Sequence, residues 1–223
     1  MTDTAVRRDH VHLPAPTAVD GSPLSPKQLA RRQRVIEVAL QLGADGGYDA
    51  VHMREVADRS RVSLGTIYRY FGSKDHLLAA ALSEWTAQLQ SRLARRPARG
   101  DSPVEQLVDV LRRGSRALEQ QPNLAAALIR ALGSDDPMVG LAASHVRGQI
   151  SAIAAPILDA LGPGEIEEIV GVLRHVWYSA MMIWAHGRSD VSTIGDDLER
   201  AARLLLAAHP ALSAPQPRSA TGS

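Results

Sequence analysis

The chain has 223 residues, 25 Lys and Arg against 24 Asp and Glu, no cysteine, and only three Trp, four Tyr and one Phe. The size suits one domain of ordinary size with a smaller one beside it, and the lack of cysteine excludes disulfide frameworks, thiolate-held metal centres and thiol nucleophiles while fitting a cytoplasmic setting. The longest apolar runs, such as 176–185 and 201–208, fall short of the ~20 residues that cross a bilayer, so no membrane partner is expected.

Charge is spread unevenly. Residues 1–100 hold 15 Lys and Arg against 10 Asp and Glu, whereas residues 101–223 hold 10 against 14. A basic first half beside an acidic second half is expected where one unit meets a polyanion and the other does not.

Residues 1–26 contain Arg7, Arg8 and four prolines but lack the apolar core of a secretory signal, and are expected to form a mobile tail. Ser25 and Pro26 then open a helix in which Leu29, Val35, Ile36, Ala39 and Leu40 recur near the helical period. Arg31, Arg32 and Arg34 crowd its first turns, where the helix dipole disfavours cations, and a phosphate outside the chain would offset that. Gly43, Gly46 and Gly47 end this helix. Two short helices follow, 53–60 and 63–70, which are too short to stand alone and must pack on each other and on the first. Ser73 is the expected N-cap of a longer helix running through Leu77, Leu78, Ala81, Leu82 and Trp85.

A run rich in Arg, Pro and Gly at 95–100 marks the boundary between the two halves. Beyond it everything reads helical. Ser102, Pro103 and Glu105 form a capping box with proline at the first helical position. Pro122 and Asn123 start a helix ending near Gly133. Asp135, Asp136 and Pro137 start a longer one, expected to bend at Pro156 and end by Gly162. Helices over 164–188 and 193–208 complete the set, and the Pro-, Ser- and Ala-rich residues 210–223 are expected to be disordered. No β-alternation of useful length occurs, so the expected fold is all-α with roughly nine helices: a three-helix helix-turn-helix domain over 27–73 and a helical bundle over 74–209.

The chemistry concentrates in residues 53–71. Val56, Ala57, Val62 and Ile67 are apolar where two steeply crossing helices must touch, and Ala57 is small where the backbones approach, which is a helix-turn-helix pattern. The second helix of such a motif offers its N-terminal residues to base edges, so Ser63 and Leu64 are the candidates there, Leu64 through a thymine methyl. Gly65 has no Cβ to hold DNA away, and Thr66 can give a hydroxyl or N–H to a phosphate. Tyr68 and Tyr70 flank Arg69 on a helix whose buried side Ile67 and Phe71 supply at i and i+4, and a tyrosine hydroxyl suits a phosphate. Arg69 can instead pair with an acid on the neighbouring helix. Lys74, at the start of the next helix, can clamp a phosphate together with that helix's amides. Arg61 stands at the turn where helix-turn-helix sequences often have glycine; a left-handed backbone there costs a non-glycine residue about 1–2 kcal/mol.

Gly46, Gly47, Tyr48, Asp49, Ala50 and Val51, then Met53, Arg54, Glu55, Val56 and Ala57, then residues 65–74 together resemble the DNA-binding domain of TetR-family transcriptional regulators. Within that family, the segment through Tyr70 and the later Val176, Trp177, Trp184 and 204–206 look most like the actinobacterial repressors of cholesterol catabolism. The resemblance implies a homodimeric repressor on a near-palindromic double-stranded operator, with two recognition helices entering major grooves about 34–36 Å apart. It implies that Arg54 reaches a guanine or a phosphate. It also implies that the last two helices form the dimer interface, with a small hydrophobic effector held among the helices before and beside them. On the closer resemblance that effector is a steroid-derived acyl-CoA thioester and the genes serve lipid or sterol breakdown; a fatty acyl-CoA, or a drug in an efflux-controlling regulator, is the alternative.

Trp177, Met181 and Trp184 fall on one face of a helix at i, i+4 and i+7, a pattern of core, dimer seam or ligand contact. Trp177 and Met181, with Leu107, Leu111 and Leu128 from earlier helices, are the candidate pocket walls. The eight histidines show no i, i+4 pair or His-Glu-x-x-His arrangement, so no metal is expected. No nucleophile elbow, Walker loop or triad order can be assembled, so no catalytic residues, enzyme activity or cofactor are expected. The rival of another class is an architectural DNA-binding protein without an effector.

Overall fold

The computed structural model describes residues 17–209 and Leu212, and among these it contains nine α-helices: α1 (Pro26–Ala50), α2 (Met53–Ser60), α3 (Leu64–Tyr70), α4 (Lys74–Arg95), α5 (Pro103–Glu119), α6 (Pro122–Leu132), α7 (Pro137–Ala154), α8 (Pro163–Ala185) and α9 (Thr193–Leu206). Most of the two expected tails, residues 1–16 and 210–223 apart from Leu212, lies outside the described residues.

Ser25 opens α1 with a reciprocal cap: its hydroxyl accepts from the Gln28 N–H, and the Gln28 side chain accepts from the Ser25 N–H. The glycines act separately. Gly46 and Gly47 break the helical path, with Gly47 at φ 71° in a region that favours glycine, but Gly43 stays helical and buried. A Cβ at Gly43 would stand 2.9 Å from Leu124 of α6, so the bare backbone there sets how closely α1 and α6 approach.

The turn between α2 and α3 is built on Arg61 at φ 54°, ψ 40°, left-handed, with its N–H directed at the Ala57 and Asp58 carbonyls. Arg61 is exposed, so its side chain gains nothing from burial to offset that conformation. Glycine would remove about 1–2 kcal/mol of backbone strain against about 0.5–1 kcal/mol of extra chain entropy lost on folding. Arg61→Gly is therefore expected to leave the melting temperature unchanged or raise it by a few degrees in the absence of DNA; a lower value would contradict this account of the turn.

Val56, Ala57, Val62, Ile67, Tyr70 and Phe71 are buried together with Leu77, Leu78 and Ala81 of α4 and with Leu124 and Leu128 of α6. The boundary expected at 73/74 thus separates helices but not cores: the helix-turn-helix closes only against α4 and α6. A second core joins Leu107, Val108, Leu158, Ile169, Leu173 and Leu206, and a third joins Leu118, Ile129, Met181, Ile194 and Leu198.

Three expectations need correction. The helix begun at Pro137 ends at Ala154 and does not bend through Pro156; proline lacks the N–H that would continue it, and Ile157 and Leu158 turn back to bond the Ala154 carbonyl, both at 3.0 Å. Gly162 instead serves as N-cap of α8, its N–H donating to the Glu165 carboxylate at 2.9 Å. The tails are also shorter than expected. Residues 17–25 form a strap over the end of α3, where Ala18 is buried and the Val19 N–H donates to the Arg69 carbonyl at 3.0 Å, satisfying one of the carbonyls a helix end leaves open. Leu212 is buried in the second core. Finally, only half of the capping box at α5 forms: Ser102 accepts from the Glu105 N–H, but the Glu105 carboxylate takes the N–H of Asp101.

Candidate nucleic-acid interface and apolar cavity

The Ser63 hydroxyl accepts from the Thr66 N–H at 3.3 Å, and the two hydroxyl oxygens lie 2.8 Å apart, so this cap sets the first turn of α3. Ile67 and Tyr70 face the core. The opposite face carries exposed Ser63, Gly65, Tyr68 and Arg69, with Leu64 and Thr66 partly covered between them. A Cβ built on Gly65 would meet nothing within 4 Å, so the ground above the helix start is open. Tyr68 is 47% exposed, an unusual position for so large an amphipathic ring. Arg54 is exposed at the start of α2, and among the described residues no carboxylate pairs with it, whereas the neighbouring Arg59 is held by Glu55 at 2.6 Å.

Tyr70 is withdrawn from this face. Its ring is fully buried, edge-on to Phe71, and its hydroxyl has no partner among the described residues. The cause is helical geometry: Tyr70 is i+3 from Ile67 and shares its side as surely as Phe71 does at i+4. Of the three arginines in the first turns of α1, Arg32 is similarly withdrawn, its guanidinium 4.9 Å from the Phe71 ring centre, and burial pushes its pKa down.

Lys74 is not a free arm either. Its ammonium lies 3.8 Å from the centre of the Tyr48 ring, and the Arg130 guanidinium of α6 lies 4.1 Å from the same ring. The Tyr48 hydroxyl donates to Asp75 at 2.6 Å; burial, then this bond and the Asp75 charge, push the phenol up to about 12. Burial holds the Lys74 ammonium below its ordinary value, against the opposing charges of Asp49 and Asp75 and with Arg130 adding to the lowering. Sequence reasoning gave Tyr48 no role; its position just past the Gly46–Gly47 break was the available signal. Beside it, Ser73 donates to Asp136 at 2.5 Å, and Asp136 also caps α7 by accepting from the Met138 N–H at 2.9 Å. The start of α4 is thereby tied to the start of α7. His76, buried below, accepts from the Gly72 N–H at 3.2 Å, and burial lowers its pKa.

The other feature is a cavity of about 350 Å³, within the range of small-molecule sites. Its wall is mostly apolar, with Leu82, Trp85 and Leu89 from α4, Val146 and Ile150 from α7, and Tyr178 from α8, while Arg147 of α7 and Arg174 and His175 of α8 also line it. Thr86 also lines it, but its hydroxyl is spent on the Leu82 carbonyl at 2.9 Å. Leu107, Leu111 and Trp177 line the cavity. Leu128 and Met181 do not. Leu128 faces the helix-turn-helix core, because α6 packs mainly on α1 and α4, and Met181, a turn beyond Tyr178, packs on α6 and α9. The α4 wall was missed, although Leu82, Trp85, Leu89 and Leu93 repeat at helical spacing from the edge of the first core onward.

A helix-turn-helix with an exposed second helix, joined through one long helix to an all-helical unit around an apolar cavity, defines a DNA-binding transcriptional regulator. Residues 35–81 match the bacterial regulatory proteins of the tetR family, and residues 100–205 match the tetracyclin repressor-like C-terminal domain. The chain is 32% identical over 183 residues to the HTH-type transcriptional repressor KstR of Mycolicibacterium smegmatis, covering 82% of this chain and 90% of that one. It is 34% identical over 180 residues to KstR of Rhodococcus jostii, covering 80% and 84%. Among solved structures, a TetR transcriptional regulator from Rhodococcus sp. RHA1 superposes with a TM-score of 0.73 at 28% identity, covering 81% of this chain and 97% of that one. Thermus thermophilus FadR, a TetR-family repressor solved with lauroyl-CoA, superposes at 0.65 with 22% identity, covering 86% and 100%. The chain belongs to the TetR family.

Proposed function

We propose that the protein is a homodimeric repressor that holds a near-palindromic operator through α3 and releases it when an amphipathic acyl-CoA-type effector enters the cavity, controlling genes of lipid or steroid breakdown. The observation that carries this reading is the double role of α4. Its first turns close the helix-turn-helix core through Leu77, Leu78 and Ala81, and its later turns wall the cavity through Trp85 and Leu89. A ligand that prefers a wider cavity prefers a different placement of α4, and the recognition helix moves with it. For an almost complete switch the ligand must favour the released form by ~5.5 kcal/mol. The acyl-CoA class is supported by the apolar wall, by the likeness to the KstR repressors, and by the lauroyl-CoA held on the same fold in the Thermus protein.

On the DNA side, Ser63 and Leu64 read base edges, Gly65 lets the backbone approach, and Thr66, Tyr68, Arg69, Arg54 and Lys74 hold phosphates or, for Arg54, a guanine. Lys74 would reach its phosphate from its seat on the Tyr48 ring. The partner for dimerisation is a second copy. Val172 and Ile183 on α8 and Leu204 on α9 are large apolar side chains 44%, 44% and 72% exposed, on the two helices that carry the interface in the resemblance.

The test is footprinting of the intergenic DNA beside the protein's own gene, with and without acyl-CoA thioesters of fatty and steroid acids. Expected is a protected near-palindrome that one thioester class abolishes. Protection that responds to no thioester would remove the effector from this reading.

A further inference from the structure

A groove of about 720 Å³ runs along the α4–α5 corner, and six arginines line it: Arg92, Arg95, Arg96, Arg99, Arg113 and Arg116. Its one carboxylate, Asp109, is already engaged. Asp109 pairs with Arg113 and accepts the Arg99 N–H at 2.9 Å, while Arg113 donates to the carbonyls of Arg96 at 2.7 Å and Pro97 at 3.3 Å. These bonds fix the corner and leave Arg92, Arg95, Arg96, Arg99 and Arg116 without an ion-pair partner among the described residues. Five guanidinium groups gathered in one groove repel one another, and an anion with several oxygens offsets that repulsion by taking forked hydrogen bonds.

Place decides which anion. The groove lies at the C-terminal end of α4, where Arg95 stands 21 residues beyond Lys74, which at 1.5 Å per residue is about 32 Å along the helix from its DNA-proximal start. Four of the 15 basic residues that made the first 100 residues look built for DNA, Arg92, Arg95, Arg96 and Arg99, are therefore far from the recognition helix. Leu89 and Leu93 line this groove and the apolar cavity alike, so the two share a wall.

We infer that the arginine groove is the head-group subsite of the effector: it takes a phosphorylated nucleotide carrying a pyrophosphate, while the apolar tail of the same molecule passes Leu89 and Leu93 into the cavity. This rests on the acyl-CoA reading above, and it adds the residues that distinguish a thioester from the free acid. A free fatty acid or steroid acid fills only the cavity.

The experiment uses the full chain and two probes, coenzyme A without an acyl chain and lauroyl-CoA. Coenzyme A binding is measured by calorimetry for the wild type, for Arg96→Glu and Arg116→Glu separately, and for Arg188→Glu as a surface control on the α8–α9 loop. Expected is saturable binding that weakens at least about tenfold in either groove variant and stays within about twofold in the control. Equal binding by wild type and both groove variants, or no saturable binding by the wild type, would overturn the subsite. Operator release by lauroyl-CoA separates the two inferences. Release at the same concentration for wild type and Arg96→Glu overturns the groove and keeps the effector class, whereas groove-dependent coenzyme A binding with no release by any thioester keeps the groove and removes the effector class. Laurate, the free acid, should bind wild type and variants alike; a loss in the groove variants would show damage to the cavity and count against the subsite.

Discussion

Tyr68→Ala is expected to lose operator binding by two to four orders of magnitude while the protein stays folded and dimeric. The ring is 47% exposed and lies on the face opposite buried Ile67, so its removal opens no cavity in the core. A hydrogen bond to a charged phosphate contributes about 1.5–3 kcal/mol, and a symmetric dimer makes each contact twice, so the dimer loses about 3–6 kcal/mol. The check is fluorescence anisotropy on the footprinted operator, with circular dichroism to confirm the fold. Operator affinity within threefold of wild type would count against α3 as the reading element. The neighbour makes the opposite control: Tyr70→Ala removes a fully buried ring and is expected to lower the melting temperature first.

The second large effect is expected at the α8–α9 surface. Leu204→Asp places a carboxylate where a single copy is 72% open to water, so the monomer tolerates it. In a two-fold interface the same change buries two unpaired charges, each costing on the order of several kcal/mol. The variant should sediment as a folded monomer, and operator binding should fall with it, since the two half-sites are then engaged separately. A dimer of unchanged stability would move the interface away from α9.

How far the sequence reaches is visible residue by residue. The helix-turn-helix was legible because its determinants are local: apolar spacing at Val56, Ala57, Val62 and Ile67, a hydroxyl cap at Ser63, and a turn residue, Arg61, whose left-handed backbone the structure shows at φ 54°. The side of α3 was only partly legible, since assigning its buried face to Ile67 and Phe71 overlooked that Tyr70, at i+3, shares it. Nothing local announced that α6 packs on α1 and α4. That contact depends on Gly43 lacking a side chain opposite Leu124, and it turned Leu128 from a pocket candidate into core. The charge split was coarser than it looked for a similar reason: position along the chain is not position in space, and α4 sets Arg92 and Arg95 in its last turn, with Arg96 and Arg99 just past it, well away from α3.

The claim that orders all of this is that the exposed face of α3 reads a particular sequence in the DNA. Competition between the footprinted operator and a random duplex of equal length, at one fixed salt concentration, measures it directly. A preference of ~10³ or more for the operator is predicted. Equal affinity for the two duplexes would contradict the account and leave an architectural DNA-binding protein in its place.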